Sequence, residues 1–320
     1  MNQASITEAV FPIRVVAERT GINPVTLRAW ERRHGLIRPQ RTAKGHRLYS
    51  DADIHTIARI IELLEQGVAI SRVKEMLGKP VAAAPVHRPA RQEFEQTARS
   101  ASADTWDGYC RRMAAAVGDF DERTLEAAYN EALSLYPVDL VTQQLLLRLL
   151  RELEARWATL PHADAERRFV HSYLRNKLGA RLHHWSLQHN GGARLLLAGV
   201  PGEHCETSLL LLALALRSAG YQVILLGADC QLDALPHAVE RAQAVGLVLH
   251  ADRLLPAHLL ARLRGFRRQL GCPVFMAGHC TGTQREALVA ARLTVLDSDA
   301  AGAAAQTIQL TLAQPGDPAG

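Results

Sequence analysis

The sequence predicts three folds in series: an all-α winged helix-turn-helix, an all-α helical bundle, and an α/β doubly wound parallel sheet. Three observations carry this. Residues 21–49 hold a turn glycine, a capped cationic helix and a basic loop, in that order. Residues 91–189 read as helical segments, with a leucine-rich face in the middle. From residue 193 onward, short strand-like runs alternate with helical ones, which is the pattern of a parallel βαβ sheet.

The first module builds up residue by residue. Residues 15–20 end a first helix, and Gly21 permits a tight turn. Asn23 is the N-cap of the next helix, and Pro24 stands at its first position, where a missing N–H costs nothing. This helix, residues 24–34, packs through Val25 and Leu27. It carries Thr26, Arg28, Arg32 and Arg33 on its polar side, with Trp30 among them, and Gly35 stops it. A basic loop runs from Arg38 to Arg47 through Arg41, Lys44 and His46, with Gly45 at its tip and Leu48-Tyr49 as its exit. A short cationic helix fits a major groove, and a basic loop beside it grips phosphates or the adjacent minor groove. The candidate DNA-binding residues are therefore Thr26, Arg28, Trp30, Arg32, Arg33, Arg41, Lys44, His46, Arg47 and Tyr49. Thr26 and Arg32 are expected to reach base edges, and Arg28, Arg47 and Tyr49 to hold the backbone.

Thr26-Leu27-Arg28-Ala29-Trp30-Glu31-Arg32, then Gly35-Leu36, then Arg47-Leu48-Tyr49-Ser50 resemble the DNA-binding motif of MerR-family transcription regulators, over residues 12–77. The resemblance implies a regulator, not an enzyme. It implies binding to double-stranded promoter DNA at a palindromic site as a homodimer or higher homo-oligomer, with RNA polymerase at the promoter as a further partner.

Beyond the wing, Ser50 caps a helix over residues 51–65, in which Ile54, Ile57, Ile61 and Leu64 fall at helical spacing. Gly67-Val68 turns the chain, and residues 71–77 form one more short helix, closing a domain of residues 1–78. Residues 79–90 are rich in Pro and Ala without periodicity and read as a linker. A helical bundle spans residues 91–190, with segments at 92–98, 103–117, 121–135, 137–157 and 163–188; Leu145 to Leu153 supplies a packed apolar face. The α/β domain spans residues 191–314. Its strand–helix pairs are 194–199 with 207–219, 222–226 with 233–244, 246–250 with 256–270, and 273–277 with 283–291, and a weaker pair closes the set at 293–296 with 300–312. Residues 315–320 are a tail. Ligands of such sheets bind outside the C-terminal strand ends, at the switch in strand order.

This domain order resembles the cobalamin-binding, light-sensing branch of the MerR family, and Pro201-Gly202-Glu203 and the strand ending in Leu226-Gly227 look like its third domain. That branch ligates cobalt through Glu/Asp-x-His-x-x-Gly. Aligned on Gly202-Glu203, the His position is Cys205, the Gly position is Ser208, and His204 is displaced by one residue. His250 stands where the family has a small Ser, and Ala277-Gly278 where it has Gly-Gly. Of the upper-face signature, Trp157 survives but the Glu-His pair is Arg167-Arg168. The resemblance thus implies a cobalamin-binding-type fold with a degenerate motif. Cobalamin is a possible cofactor and a cobalamin-dependent light sensor an alternative function, but standard His-on binding is not expected. A second alternative rests on the rim of the sheet. His204, Cys205 and His279 follow strands and His250 ends one, and imidazoles and thiols converging there would bind haem or a transition metal. The plainer reading leaves them as pocket-lining or loop residues.

Composition sets the remaining bounds. Apolar residues make up 48% and charged residues 22%, which suits a soluble globular chain. Residues 1–80 hold 13 Lys/Arg against 8 Asp/Glu, and the rest holds 24 against 24, so the whole net charge of +5 belongs to the first quarter. A basic module on a neutral body suits nucleic-acid binding by the module alone. Residues 1–10 include Glu8 and no long apolar run, so no secretory leader is expected, and the longest apolar run, 209–216, is too short to span a bilayer. Five cysteines at irregular spacing suit thiols in a reducing cytoplasm. The first sheet turn, Gly199-Val200-Pro201-Gly202, lacks a phosphate-binding Gly-x-Gly-x-x-Gly, and no catalytic set stands out.

Overall fold

A computed structural model describes residues 10–77, 88–186, 192–296 and 301–313. Most of the expected linker and all of the expected tail lie outside the described residues. The chain forms two compact units, Met1–Arg167 and Arg168–Gly320.

In the first unit, β1 (Val10–Pro12) leads into α1 (Ile13–Thr20), which ends at Gly21 in the left-handed region, φ 71°. Asn23 Oδ1 accepts the Val25 N–H at 2.8 Å, so α2 (Pro24–Ala29) starts where the cap predicts. It continues as a wider, π-helical turn over Trp30–His34 and stops at Gly35, φ 57°. The wing is β2 (Gln40–Arg41) and β3 (Arg47–Ser50), antiparallel. β3 also pairs with β1, setting Tyr49 opposite Phe11, so the domain expected as all-helical contains a small three-stranded sheet. Next is α3 (Asp51–Glu65), opened by a reciprocal capping box between Ser50 and Asp53, an arrangement that stabilises a helix start by about 1 kcal/mol. α4 (Ile70–Leu77) follows the Gly67 turn.

The bundle helices are α5 (Arg88–Gly118), α6 (Glu122–Leu135), α7 (Val138–Val141), a π-helical turn over Thr142–Leu146, α8 (Leu147–Trp157) and α9 (Asp164–Ser186). The break expected between residues 98 and 103 is absent, because nothing in Ala98–Ala103 interrupts a helix and α5 runs through it. α6 starts on an Asp121 cap, its side chain accepting the Thr124 N–H at 3.0 Å.

The second unit alternates β4 (Arg194–Gly199), α10 (Thr207–Ser218), β5 (Gln222–Gly227), α11 (Leu235–Ala242, after a 3-10 turn), β6 (Gly246–His250), α12 (Ala257–Arg267), β7 (Val274–Ala277), α13 (Cys280–Thr283), α14 (Arg285–Ala290), β8 (Thr294–Val295) and α15 (Ala301–Ala313). All strand pairs are parallel, in the order β5-β4-β6-β7-β8. β6 and β7 are buried at every position, as strands covered on both faces must be. The order reverses at β4, which puts the switch point between β4 and β6. Among the described residues no helix is long and apolar enough to cross a membrane.

Candidate functional site

The first candidate surface is α2 with its wing. Val25, Arg28, Arg32 and Arg33 are exposed, as are Arg38, Lys44 and His46 along the loop. Glu31, at the start of the π-helical turn, ties the two parts together. Its Oε1 accepts from Arg41 of β2 at 2.9 Å, and its Oε2 accepts from Arg47 Nε of β3. Burial alone would push the Glu31 carboxyl up; the bonds from Arg47 and Arg41 outweigh it and hold the group below the usual carboxylate range. Arg47, expected at phosphates, is thus half-buried and serves first as the anchor of the wing.

Three expected DNA contacts are corrected. Tyr49 is fully buried in the middle of β3, where burial pushes its hydroxyl up to about 12. Thr26 and Trp30 lie on the flank of α2 that α6 covers. Thr26 Oγ1 donates to the Leu133 carbonyl at 2.9 Å and Trp30 Nε1 to the Leu135 carbonyl at 2.7 Å. Both are buried, so neither reaches a base from this position. Their partners lie more than a hundred residues away, and no local pattern announces them.

The second candidate surface is the rim of the sheet, where successive loops are laced together. Asp229 Oδ1 accepts the Gly202 N–H at 2.8 Å. The buried Glu203 carboxylate accepts the Cys205 N–H at 3.0 Å and the Asp252 N–H at 2.9 Å. Asp252 Oδ1 in turn accepts the His279 N–H at 3.3 Å and lies 3.5 Å from His250 Nε2. A cleft of about 320 Å³ opens beside this lacing at the switch point, lined by Val200–Glu203 on one side and by Ala251 and Arg253–Pro256 on the other. The expected four-residue ligand set is not assembled. His204 and His279 are exposed, while His250 is buried against Asp252. Cys205 faces His171 of α9, Sγ to Nδ1 3.5 Å, and the same nitrogen lies 2.8 Å from Thr207 Oγ1. Among the described residues no group of three or more His, Cys, Asp or Glu is placed to hold a metal. His171 went unnoticed in the sequence. Its signal is its place beside Val170 on the stripe that continues through Leu174 and Leu178, which makes it an inward-facing histidine.

A family model described as "MerR HTH family regulatory protein" matches residues 11–79, and one described as "B12 binding domain" matches residues 109–181. The HTH-type transcriptional repressor CarH of Myxococcus xanthus is 31% identical over 284 residues, 85% of this chain and 90% of that protein. The chain belongs to the MerR family. CarA of the same organism, also an HTH-type transcriptional repressor, is 29% identical over 71% of each chain. The transcriptional regulator MlrA of Escherichia coli is 54% identical over 69 residues, 22% of this chain and 28% of its own. The Methanosarcina barkeri monomethylamine corrinoid protein aligns with 65% of this chain and 96% of its own at 14% identity and TM-score 0.45, a partial likeness.

This MerR-family chain is a DNA-binding transcription regulator with a cobalamin-binding-type region, and cobalamin is a possible ligand of that region. At the position where the family resemblance expects a cobalt-ligating histidine, the residues do not fit the His-on form. Burial raises the Cys205 thiol above its ordinary range, so it stays protonated, and the His171 imidazole of α9 stands against it. At the upper-face signature, Trp157 Nε1 donates to Glu166 Oε2 at 2.9 Å, and the Arg167 guanidinium lies over its ring at 5.1 Å while pairing with Glu154. The surviving tryptophan is held by its own neighbours.

Proposed function

We propose that the chain regulates transcription by binding a two-fold-symmetric promoter site as a homodimer or higher homo-oligomer. Arg28, Arg32 and Arg33 enter or flank the major groove, and Arg41, Lys44 and His46 hold phosphates from the wing. The observation that carries this is the open cationic face of α2 beside a wing fixed to it by Glu31. A helix for the groove and a loop for the backbone are the two parts such recognition needs. The reading places RNA polymerase beside it at the promoter and gives the bundle and sheet the sensing or oligomerising role. It makes the chain a regulator and not an enzyme, supported by relatives that are themselves regulators.

The test is a gel-shift series across salt concentrations on a duplex enriched from a randomised pool by the full chain. Arg28→Ala is expected to lower the salt slope by about one unit. An unchanged slope removes Arg28 from the interface, and failure to enrich any duplex overturns the reading.

A further inference from the structure

The contact between α2 and α6 has its cause in the sequence. The last four carbonyls of a helix lack intrahelical partners. The Leu133 carbonyl of α6 would ordinarily accept from the residue four positions on, which is Pro137 and has no N–H. Thr26 supplies the missing donor, and Trp30 supplies another to the Leu135 carbonyl one turn along α2. Beside them Tyr136, which follows α6, packs against Trp106 of α5 with ring centroids 4.5 Å apart and planes tilted by 49°. The DNA-binding module is thus docked on the end of α6 by a buried indole and a buried hydroxyl.

Thr26 follows Val25 by one residue, about 100° around a helix of 3.6 residues per turn. The docked flank therefore borders the open face. With its side chains an α-helix is about 10–12 Å across, and the major groove is about 12 Å wide. A recognition helix in the groove has a phosphate strand along each flank. No room is left for a second helix end hydrogen-bonded to one of them.

We infer that the end of α6 is a latch on the recognition helix. Docking of Thr26 and Trp30 on Leu133 and Leu135 competes with entry of α2 into DNA, so whatever displaces the end of α6 raises DNA affinity. This rests on the assignment of α2 as the DNA-binding helix. The bundle then acts on DNA binding directly, through one helix terminus, as well as through any effect on oligomerisation.

Two measurements on the full chain test it, with the duplex enriched from the randomised pool as probe. Pro137→Ala supplies the N–H that the proline lacks, a donor that competes with Thr26 for the Leu133 carbonyl, so it is expected to tighten DNA binding about fivefold, the worth of one net hydrogen bond. Independently, the Trp30 indole N–H resonance, identified by its loss in Trp30→Phe, is expected to shift and to exchange faster with water at saturating DNA. A folded Pro137→Ala that binds no tighter overturns the latch, as does an indole resonance that stays in place; if the variant does not fold, the indole measurement decides. Should the wild-type chain enrich no duplex at all, the DNA-binding assignment itself falls, which is a different failure from DNA binding with the latch still closed.

Discussion

Glu31 accepts a hydrogen bond from Arg41 through one carboxylate oxygen, at 2.9 Å, and from Arg47 through the other. One acidic residue in the recognition element therefore fixes two basic residues of the wing. The arrangement sets charge against geometry. Glu31→Gln raises the net charge by one, and on charge alone DNA binding should tighten. The lost tether predicts the reverse, about fivefold weaker binding, as expected for about 1 kcal/mol of lost ordering. Affinity measured at two salt concentrations decides, and tighter binding would show that the wing needs no tether.

Acid should weaken the sheet unit through His250. Burial holds its imidazole below the usual histidine range, against the opposing pull of Asp252 and Glu203. Its folded pKa lies below its unfolded value, so unfolding takes up a proton as pH falls past about 6.5. The stability this group contributes is complete above that pH and is lost below it. Calorimetry between about pH 7.5 and 5.5 should show the sheet-unit transition moving to lower temperature, with His250→Asn flattening the trend. A transition that ignores pH in the wild-type chain would contradict the buried neutral imidazole.

Gly278 has φ 99°, and a Cβ there would sit 2.3 Å from the Ala251 carbonyl oxygen. Gly278→Ala must shift backbone against backbone and is expected to destabilise the sheet unit by about 3 kcal/mol, at the upper end of overpacking costs. Gly282→Ala, with nothing within 4 Å of its Cβ position, is the control and should be close to neutral. Denaturant melts of the two variants make the comparison.

A light response through adenosylcobalamin is not expected, because Cys205 stands where the family resemblance expects the cobalt-ligating histidine, with His171 against it. Purified in the dark with the cofactor, the chain should not retain it stoichiometrically in a His-on form, and illumination should leave DNA binding unchanged. Stoichiometric retention with light-triggered loss of binding would show that α9 moves away from the loop to admit a corrin.

The folds were legible where a local signal and the final structure have the same cause. The Asn23 cap, the Gly35 stop and the Ser50 cap mark helix ends that form as read, and the uninterrupted apolar strands β4 and β6 begin and end as expected. The break near residue 100 failed for lack of any breaker, and the pairing of β1 with β3 needed a partner from across the module. The site was less legible. A polar Thr26 and a Trp30 on a cationic helix look the same whether they meet DNA or a helix end, and the deciding feature, the carbonyl freed by Pro137, lies in another domain. The rim residues were placed correctly at strand ends, but which of them meet depends on carboxylates whose partners are main-chain amides.

The mooring of the rim by main-chain amides governs how it changes over generations. Asp229, Glu203 and Asp252 hold the loops at Gly202, Cys205, Asp252 and His279 by their amides. Every residue except proline brings that amide. Positions 205 and 279 are therefore free to vary in side chain while the loops that carry them stay moored. A family histidine can become a cysteine at position 205 without the rim losing its shape, and the same mooring would let this scaffold drift toward another ligand one substitution at a time.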